Sequence, residues 1–165
     1  MTERTSKIQT VLGLVEPQHL GATLTHEHLL LDLLPLYTPP AEATLLGLFN
    51  RPLSLEILGY IKHLGVKNAD DSRLLDVDTA IEEASLYKRH GGGALVDATS
   101  VGLSRDPSGL AQVSRATGLH IIMGSSYYVG PAHPADMGDR GEDRLRDEIV
   151  RDVTEGVGAT GIRAG

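Results

Sequence analysis

Leu24-Thr25-His26-Glu27-His28-Leu29 is the stretch on which the reading of this chain turns. In an extended strand successive side chains alternate faces, so His26 and His28 project to one side, a few ångströms apart, and Glu27 to the other. Two neutral imidazoles converging from one rigid strand form half of a site for a borderline divalent ion such as Zn²⁺. At the C-terminal end of a strand in a parallel α/β sheet, such a pair would occupy the usual active-site face. A bare His-x-His also describes two surface or hydrogen-bonded histidines, so the surrounding chain has to decide between the readings.

Working outward, Ala22–Leu29 reads as the first core strand. Residues 8–24 read as two short extended pieces, Ile8 to Val15 and Ala22 to Leu24, around the turn Glu16-Pro17-Gln18-His19-Leu20-Gly21, where proline and glycine supply turn chemistry. A short N-terminal β-hairpin thus precedes the core. Downstream, residues 32–75 break the pattern, punctuated by Pro35, Pro39-Pro40 and Pro52, with one helix at Ser54–Leu64 ending at Gly65. Connections this long are commonly lids or binding loops; a packed excursion with no part in substrate handling is the alternative.

Order returns at Asp76–His90, a helix with an acidic start and a basic end that match the macrodipole, stopped by Gly91-Gly92-Gly93. Ala94–Ala98 reads as a buried strand. Asp106-Pro107 supplies an N-cap and a proline at the first helical position for a helix ending at Gly118. Leu119–Met123 is a third apolar strand, followed by a loop rich in Gly, Tyr, Pro and His. A helix follows near Glu142–Glu155, with Leu145, Ile149 and Val153 four apart, and Thr160–Gly165 reads as the start of one more strand. Strands alternating with helices argue for a parallel sheet with right-handed crossovers, and residues 1–165 read as a single domain. The triple glycine precedes a strand and is a helix stop, not a phosphate cradle; there is no Walker motif.

Composition narrows the function classes. The chain has 165 residues, 41% apolar, with one Phe and no Trp, so its core must be mainly Leu, Val, Ile and Ala. A net charge of -7 argues against nucleic-acid or anionic-membrane binding, which need a basic face. With no cysteine, any metal must be held by His, carboxylate or water. The N-terminus lacks the apolar core of a signal peptide and no run spans a bilayer, so the expected address is cytoplasmic. The expected partner is a small-molecule substrate.

The run Gln9-Thr10-Val11-Leu12-Gly13 followed by Leu20-Gly21-Ala22-Thr23-Leu24-Thr25-His26-Glu27-His28 resembles the opening of the phosphotriesterase family, and most closely its phosphotriesterase-related branch within the amidohydrolase superfamily. Gly91–Asp97 is similar to that family's second strand, Gly102–Asp106 to the turn after it, Gly118–Gly124 with Tyr127-Tyr128-Val129 to its third strand and substrate loop, and Gly161–Gly165 to the entry of its fourth. The resemblance implies a (β/α)₈ barrel with two divalent metals per complete site, usually zinc, at the C-terminal ends of the strands. It implies that His26 and His28 bind the more buried ion, with a bridging Glu or carboxylated Lys on strand four, two histidines on strands five and six and an Asp on strand eight. It implies a metal-activated water attacking an ester, lactone, amide or phosphoester bond.

A complete barrel of this kind needs about 250 residues, so the resemblance covers three βα units and the start of a fourth strand. The bridging carboxylate and later ligands fall beyond Gly165. On this reading the 165-residue chain has little or no hydrolase activity, and its open edge favours a homodimer or a missing C-terminal half. The alternative is a non-catalytic barrel fragment that binds a metal or partner without turnover. The resemblance also implies that one of Tyr127 and Tyr128, Tyr127 ahead of Tyr128, lines the substrate pocket; an aromatic packed under the loop is the other reading. Asp97 reads as either an orienter of a ligand histidine or a turn cap, Asp32 as turn-forming ahead of a ligand role, Arg105 as the partner of a carboxylate, and His120 as a core histidine.

Overall fold

Three parallel strands carry the candidate site, and each follows from the local sequence. The computed structural model describes residues 7–65 and 67–165. The chain opens with a hairpin, β1 (Ile8–Thr10) paired antiparallel with β2 (Gly13–Val15). The sequence places one extended piece here and the turn at Glu16–Gly21. Instead the chain reverses at Val11-Leu12, because Thr10 Oγ1 donates to Gly13 O and accepts from Leu12 N, and Gly13 adopts φ +120°. Pro17–His19 forms a short 3₁₀ turn that leads into β3 (Ala22–Glu27). His28 therefore stands one residue beyond the strand and not inside it.

β4 (Leu31–Asp32) follows, then α1 (Ala43–Asn50), α2 (Leu55–Leu64) and β5 (Arg73–Leu74). The long connection is thus tied at its base by a two-residue antiparallel ladder, Leu31 opposite Leu74 and Asp32 opposite Arg73. Phe49 and Ile57 are its buried apolar side chains. Buried Asn68 organises it: Nδ2 donates to the carbonyls of Leu48 and Arg51, both at 2.8 Å, and Oδ1 accepts from the amides of Asp70 and Asp71. Helix α2 is the expected one, ended by Gly65 in the left-handed region at φ +64°.

The regular part follows the caps. α3 (Val77–Arg89) starts where Asp76 accepts from Thr79 N at 2.7 Å. β6 (Gly92–Asp97) follows, and then α4 (Pro107–Thr117), capped by Asp106 accepting from Gly109 N at 2.9 Å and closed by Gly118 at φ +69°. β7 (His120–Met123) and α5 (Glu142–Thr154) complete the series; in α5 Leu145 and Ile149 are half-buried but Val153 is exposed. The sheet order is β3-β6-β7, all parallel, with Glu27 opposite Asp97 and Asp97 opposite Met123. Leu95, Leu110, Val113, Ile121 and Met123 form the core between sheet and helices. Residues 160–165 make no strand ladder, yet Gly165 N donates to Met123 O at 3.0 Å, the first bond a fourth strand would make. Val11 N donates to Ile121 O at 2.8 Å, so the hairpin covers part of the same edge. No described helix is long and apolar enough to cross a membrane.

Two charged clusters hold the segments beyond β6 and β7. Arg105 donates to Gly124 O at 2.9 Å and pairs with Asp152 of α5 at 2.8 Å, a largely buried contact that Ser125 joins. Arg105 thus has the carboxylate partner expected of it. Farther along, Tyr127 donates to Glu148, while Arg140 reaches the Tyr127 oxygen at 2.7 Å, Glu148 at 2.9 Å and Asp136 at 2.8 Å. Burial, reinforced by Glu148, pushes the Tyr127 phenol up, and its hydrogen bond holds Glu148 below the usual carboxylate range. Arg140 does the same for Asp136.

Both carboxyls titrate lower folded than unfolded, so they contribute stability that is present above about pH 4 and is lost as pH falls through their lowered pKa values. Arg140→Met is therefore expected to lower Tm at neutral pH, by a margin that shrinks in melts below about pH 4; a margin independent of pH contradicts this. A second test concerns Gly102, at φ +91°, where an added Cβ would lie 1.8 Å from Ala132 O. Gly102→Ala should cost at least about 2 kcal/mol, roughly 4–8 °C of Tm. Gly130→Ala, which meets nothing within 4 Å, should melt like the parent.

Candidate metal centre

Parallel pairing puts the ends of β3 and β6 side by side, and the histidines sit at that end. His26 occupies the penultimate position of β3 and is exposed; His28 is half-buried just beyond it. Their ring centroids lie 5.4 Å apart with the planes at 67°. The period-two reading of the strand thus brings both rings to one side. Two imidazoles on one tetrahedral zinc, with Zn–N of about 2.0–2.1 Å, hold their centroids about 5 Å apart. The observed separation fits two positions of such an ion. Among the described residues no third His, Asp or Glu joins them to make a metal-binding group.

A buried carboxylate fixes the chain just past His28. Asp97, the last residue of β6, is fully buried and accepts from Leu29 N through Oδ2 at 2.8 Å and from Thr99 N through Oδ1 at 3.0 Å. Ala98 N donates to Glu27 O at 2.8 Å, which laces the two strand ends together on both sides of His28. Asp97 therefore makes the turn cap, and among the described residues its hydrogen bonds go to these backbone amides and not to an imidazole. The ring of His28 instead meets Thr99, its Nδ1 lying 3.0 Å from Oγ1. Thr99 was not legible as a site residue: it lies 71 positions from His28 and its type carries no chemistry of its own.

The other candidates separate from the pair. His28 borders a cavity of about 270 Å³ with Leu29, Leu74, Leu75, Asp76 and Glu83, between the base of the long connection and the start of α3. Asp32 accepts from Leu34 N at 2.8 Å and faces Arg73 at 3.5 Å, the turn-forming role. Tyr127 is directed to Glu148 and Arg140 and borders a separate cavity of about 310 Å³ shared with Arg105, Ser125 and Asp152. The ring of Tyr128 is half-exposed, and its carbonyl engages His133 Nε2 at 2.6 Å. The structure thus brings His26, His28 and Thr99 together and gives neither tyrosine a hydrogen bond to them.

Comparison with known proteins agrees with this geometry. The sequence profile of the phosphotriesterase family matches residues 6–165. The N-acetyltaurine hydrolase of Homo sapiens is 36% identical over 166 residues, which take in 100% of this chain and 47% of that enzyme. A resiniferatoxin-binding protein from Rhodobacter sphaeroides superposes with a TM-score of 0.91 at 36% identity, over 98% of this chain and 45% of that one. An organophosphorus hydrolase from Deinococcus radiodurans superposes with a TM-score of 0.65 at 29% identity, over 96% of this chain and 42% of its own. The chain spans about half the length of the relatives it matches. With a strand-end histidine pair, the sheet that presents it and a family profile over nearly every residue, this chain belongs to the phosphotriesterase family.

Proposed function

We propose that this chain is the opening part of a metal-dependent hydrolase built on a (β/α)₈ barrel, contributing three βα units and the first residues of a fourth strand. Within it, His26 and His28 hold one divalent ion, with zinc the best match to a donor set of neutral imidazoles. The observation that carries this reading is the 5.4 Å approach of the two rings on one side of the β3 end. When bound, such an ion supplies Lewis-acid chemistry: it acidifies water toward neutral pH and polarises the bond to be cleaved.

The chain's own residues do the rest. His26 and His28 present nitrogen donors without contributing charge. Asp97 fixes the strand ends that carry them, and the connection tied by β4 and β5 walls the cavity beside His28. The 36% identity to an N-acetyltaurine hydrolase over the whole of this chain supports an amide bond in a small N-acylated amino acid or amino sulfonate as the bond cleaved. Tyr128, whose exposed ring follows β7, is the better placed of the two tyrosines to meet a substrate, since Tyr127 is engaged with α5. The free edge of β3, where Leu24 is 39% exposed, is where further strands or a second copy would pack.

A second reading keeps the same site without turnover: a barrel portion that binds an ion or small molecule. It is favoured by the absence of a third metal-binding side chain beside the pair among the described residues.

The decisive experiment compares the 165-residue chain with a form completed to its relatives' length, each offered Zn²⁺ or Mn²⁺ and a panel of N-acyl amino acids, N-acetyltaurine, an aryl ester, a lactone and a phosphotriester. The completed form is expected to cleave the amides, to lose activity to a chelator, and to lose at least about three orders of magnitude in kcat/KM in His28→Ala, a loss of ~4 kcal/mol in transition-state stabilisation. The short chain is expected to be inactive. Chelator-resistant activity, or full activity in His28→Ala, would overturn the proposal; metal binding without turnover in the completed form would favour the second reading.

A further inference from the structure

We propose that Thr99 is the positioning residue for His28, holding its ring so that Nε2 is the atom offered to a metal ion. The inference rests on the metal reading above and deepens it. His28 lies one residue past β3, where no ladder bond holds it. Its side chain meets one hydrogen-bonding group among the described residues, the Thr99 hydroxyl at 3.0 Å from Nδ1.

Thr99 is itself fixed. It is 1% exposed, its amide is held by Asp97, and its β-branched side chain is stiff at χ1. The same carboxylate holds Leu29 N, the neighbour of His28, so the hydroxyl and the ring it touches are set by one buried group.

The chemistry needs this. A neutral imidazole has one proton and two nitrogens, and it can give the lone pair of Nε2 to a cation only when the proton sits on Nδ1. A proton on Nδ1 in a half-buried position needs an acceptor, and the Thr99 oxygen is there. A hydroxyl also rotates, so with no ion present the same contact serves with Thr99 donating to Nδ1. Without that contact the ring is free to turn about a broad, two-fold χ2 well and present either nitrogen. His26, exposed at the strand end, has no such partner among the described residues, so the pair consists of one fixed donor and one adaptable one.

The test is a titration of the 165-residue chain with Zn²⁺, followed by ¹⁵N resonances of its histidine side chains, with circular dichroism as the folding control. In the parent, loading is expected to put the proton of His28 on Nδ1 and the ion on Nε2. Thr99→Val, which keeps the branched shape, is expected to weaken Zn²⁺ binding about 10- to 100-fold and to mix the His28 tautomers. Thr99→Ser, which restores the hydroxyl, is expected to stay within about threefold of the parent, a rescue that a purely structural role would not give. Parent-like binding in a folded Thr99→Val, or ligation of the parent through Nδ1, overturns the assignment of Thr99 while leaving the metal reading intact. Unchanged Zn²⁺ binding in both His26→Ala and His28→Ala overturns the metal reading and this inference with it. Should Thr99→Val fail to fold, the parent's ¹⁵N pattern still decides which nitrogen is used.

Discussion

One carboxylate ties together the ends of two adjacent strands. Asp97 lies at the last ladder position of β6, opposite Glu27, with no exposed surface, and its two oxygens each take a backbone amide: Leu29 from beyond β3 and Thr99 from beyond β6. Both amides are ones that the end of the parallel ladder leaves unpaired, and a buried unpaired amide costs about 1–3 kcal/mol. The carboxylate removes that cost twice and in doing so fixes how the chain leaves two adjacent strands. His28 lies between Leu29, held by this carboxylate, and Glu27, whose carbonyl takes the amide of Ala98. The contact of His28 with Thr99 joins two residues placed next to the groups that Asp97 holds.

The rest of the fold is arranged so that this end stays open. Helices α3 and α4 pack on the sheet with Leu110, Val113 and the Ala80–Ala84 stripe, while the long connection leaves at Leu31 and returns at Leu74. The segment after β7 is held to α5 by Arg105–Asp152 and by the Tyr127–Glu148–Arg140 cluster. These contacts draw Tyr127 toward the helix. They also explain why a tyrosine that follows a strand end can be structural when its neighbour Tyr128 stays exposed.

The parts of this architecture that could be read from the sequence are those governed by short-range chemistry. The acidic start at Asp76, the cap at Asp106, the stops at Gly91 and Gly118, helix α2 with Gly65 behind it, and the shared face of His26 and His28 depend on spacings of a few residues, and all are observed, with Asp76 standing as the cap just ahead of its helix. What escaped depends on distant partners or on segments too short to show a period. β4 and β5 are two residues each and exist only by pairing across the excursion. α1 is an apolar run, Ala-Thr-Leu-Leu-Gly-Leu-Phe-Asn, with no side-chain cap at its start. The reversal at Val11-Leu12 is set by a Thr10 side-chain bond where no proline or glycine pair marks a turn. In the candidate site, the histidine pair was legible because imidazole is distinctive. Thr99 was not, because its contact with His28 is made by the register of β3 against β6.

The account stands on two imidazoles sharing one ion. Zinc K-edge absorption on the chain loaded with one equivalent of Zn²⁺ measures this directly. The account predicts outer-ring scattering from two imidazoles, with nitrogens at about 2.0–2.1 Å and water oxygens completing the coordination. An oxygen-only shell, or a single imidazole per zinc, would contradict it.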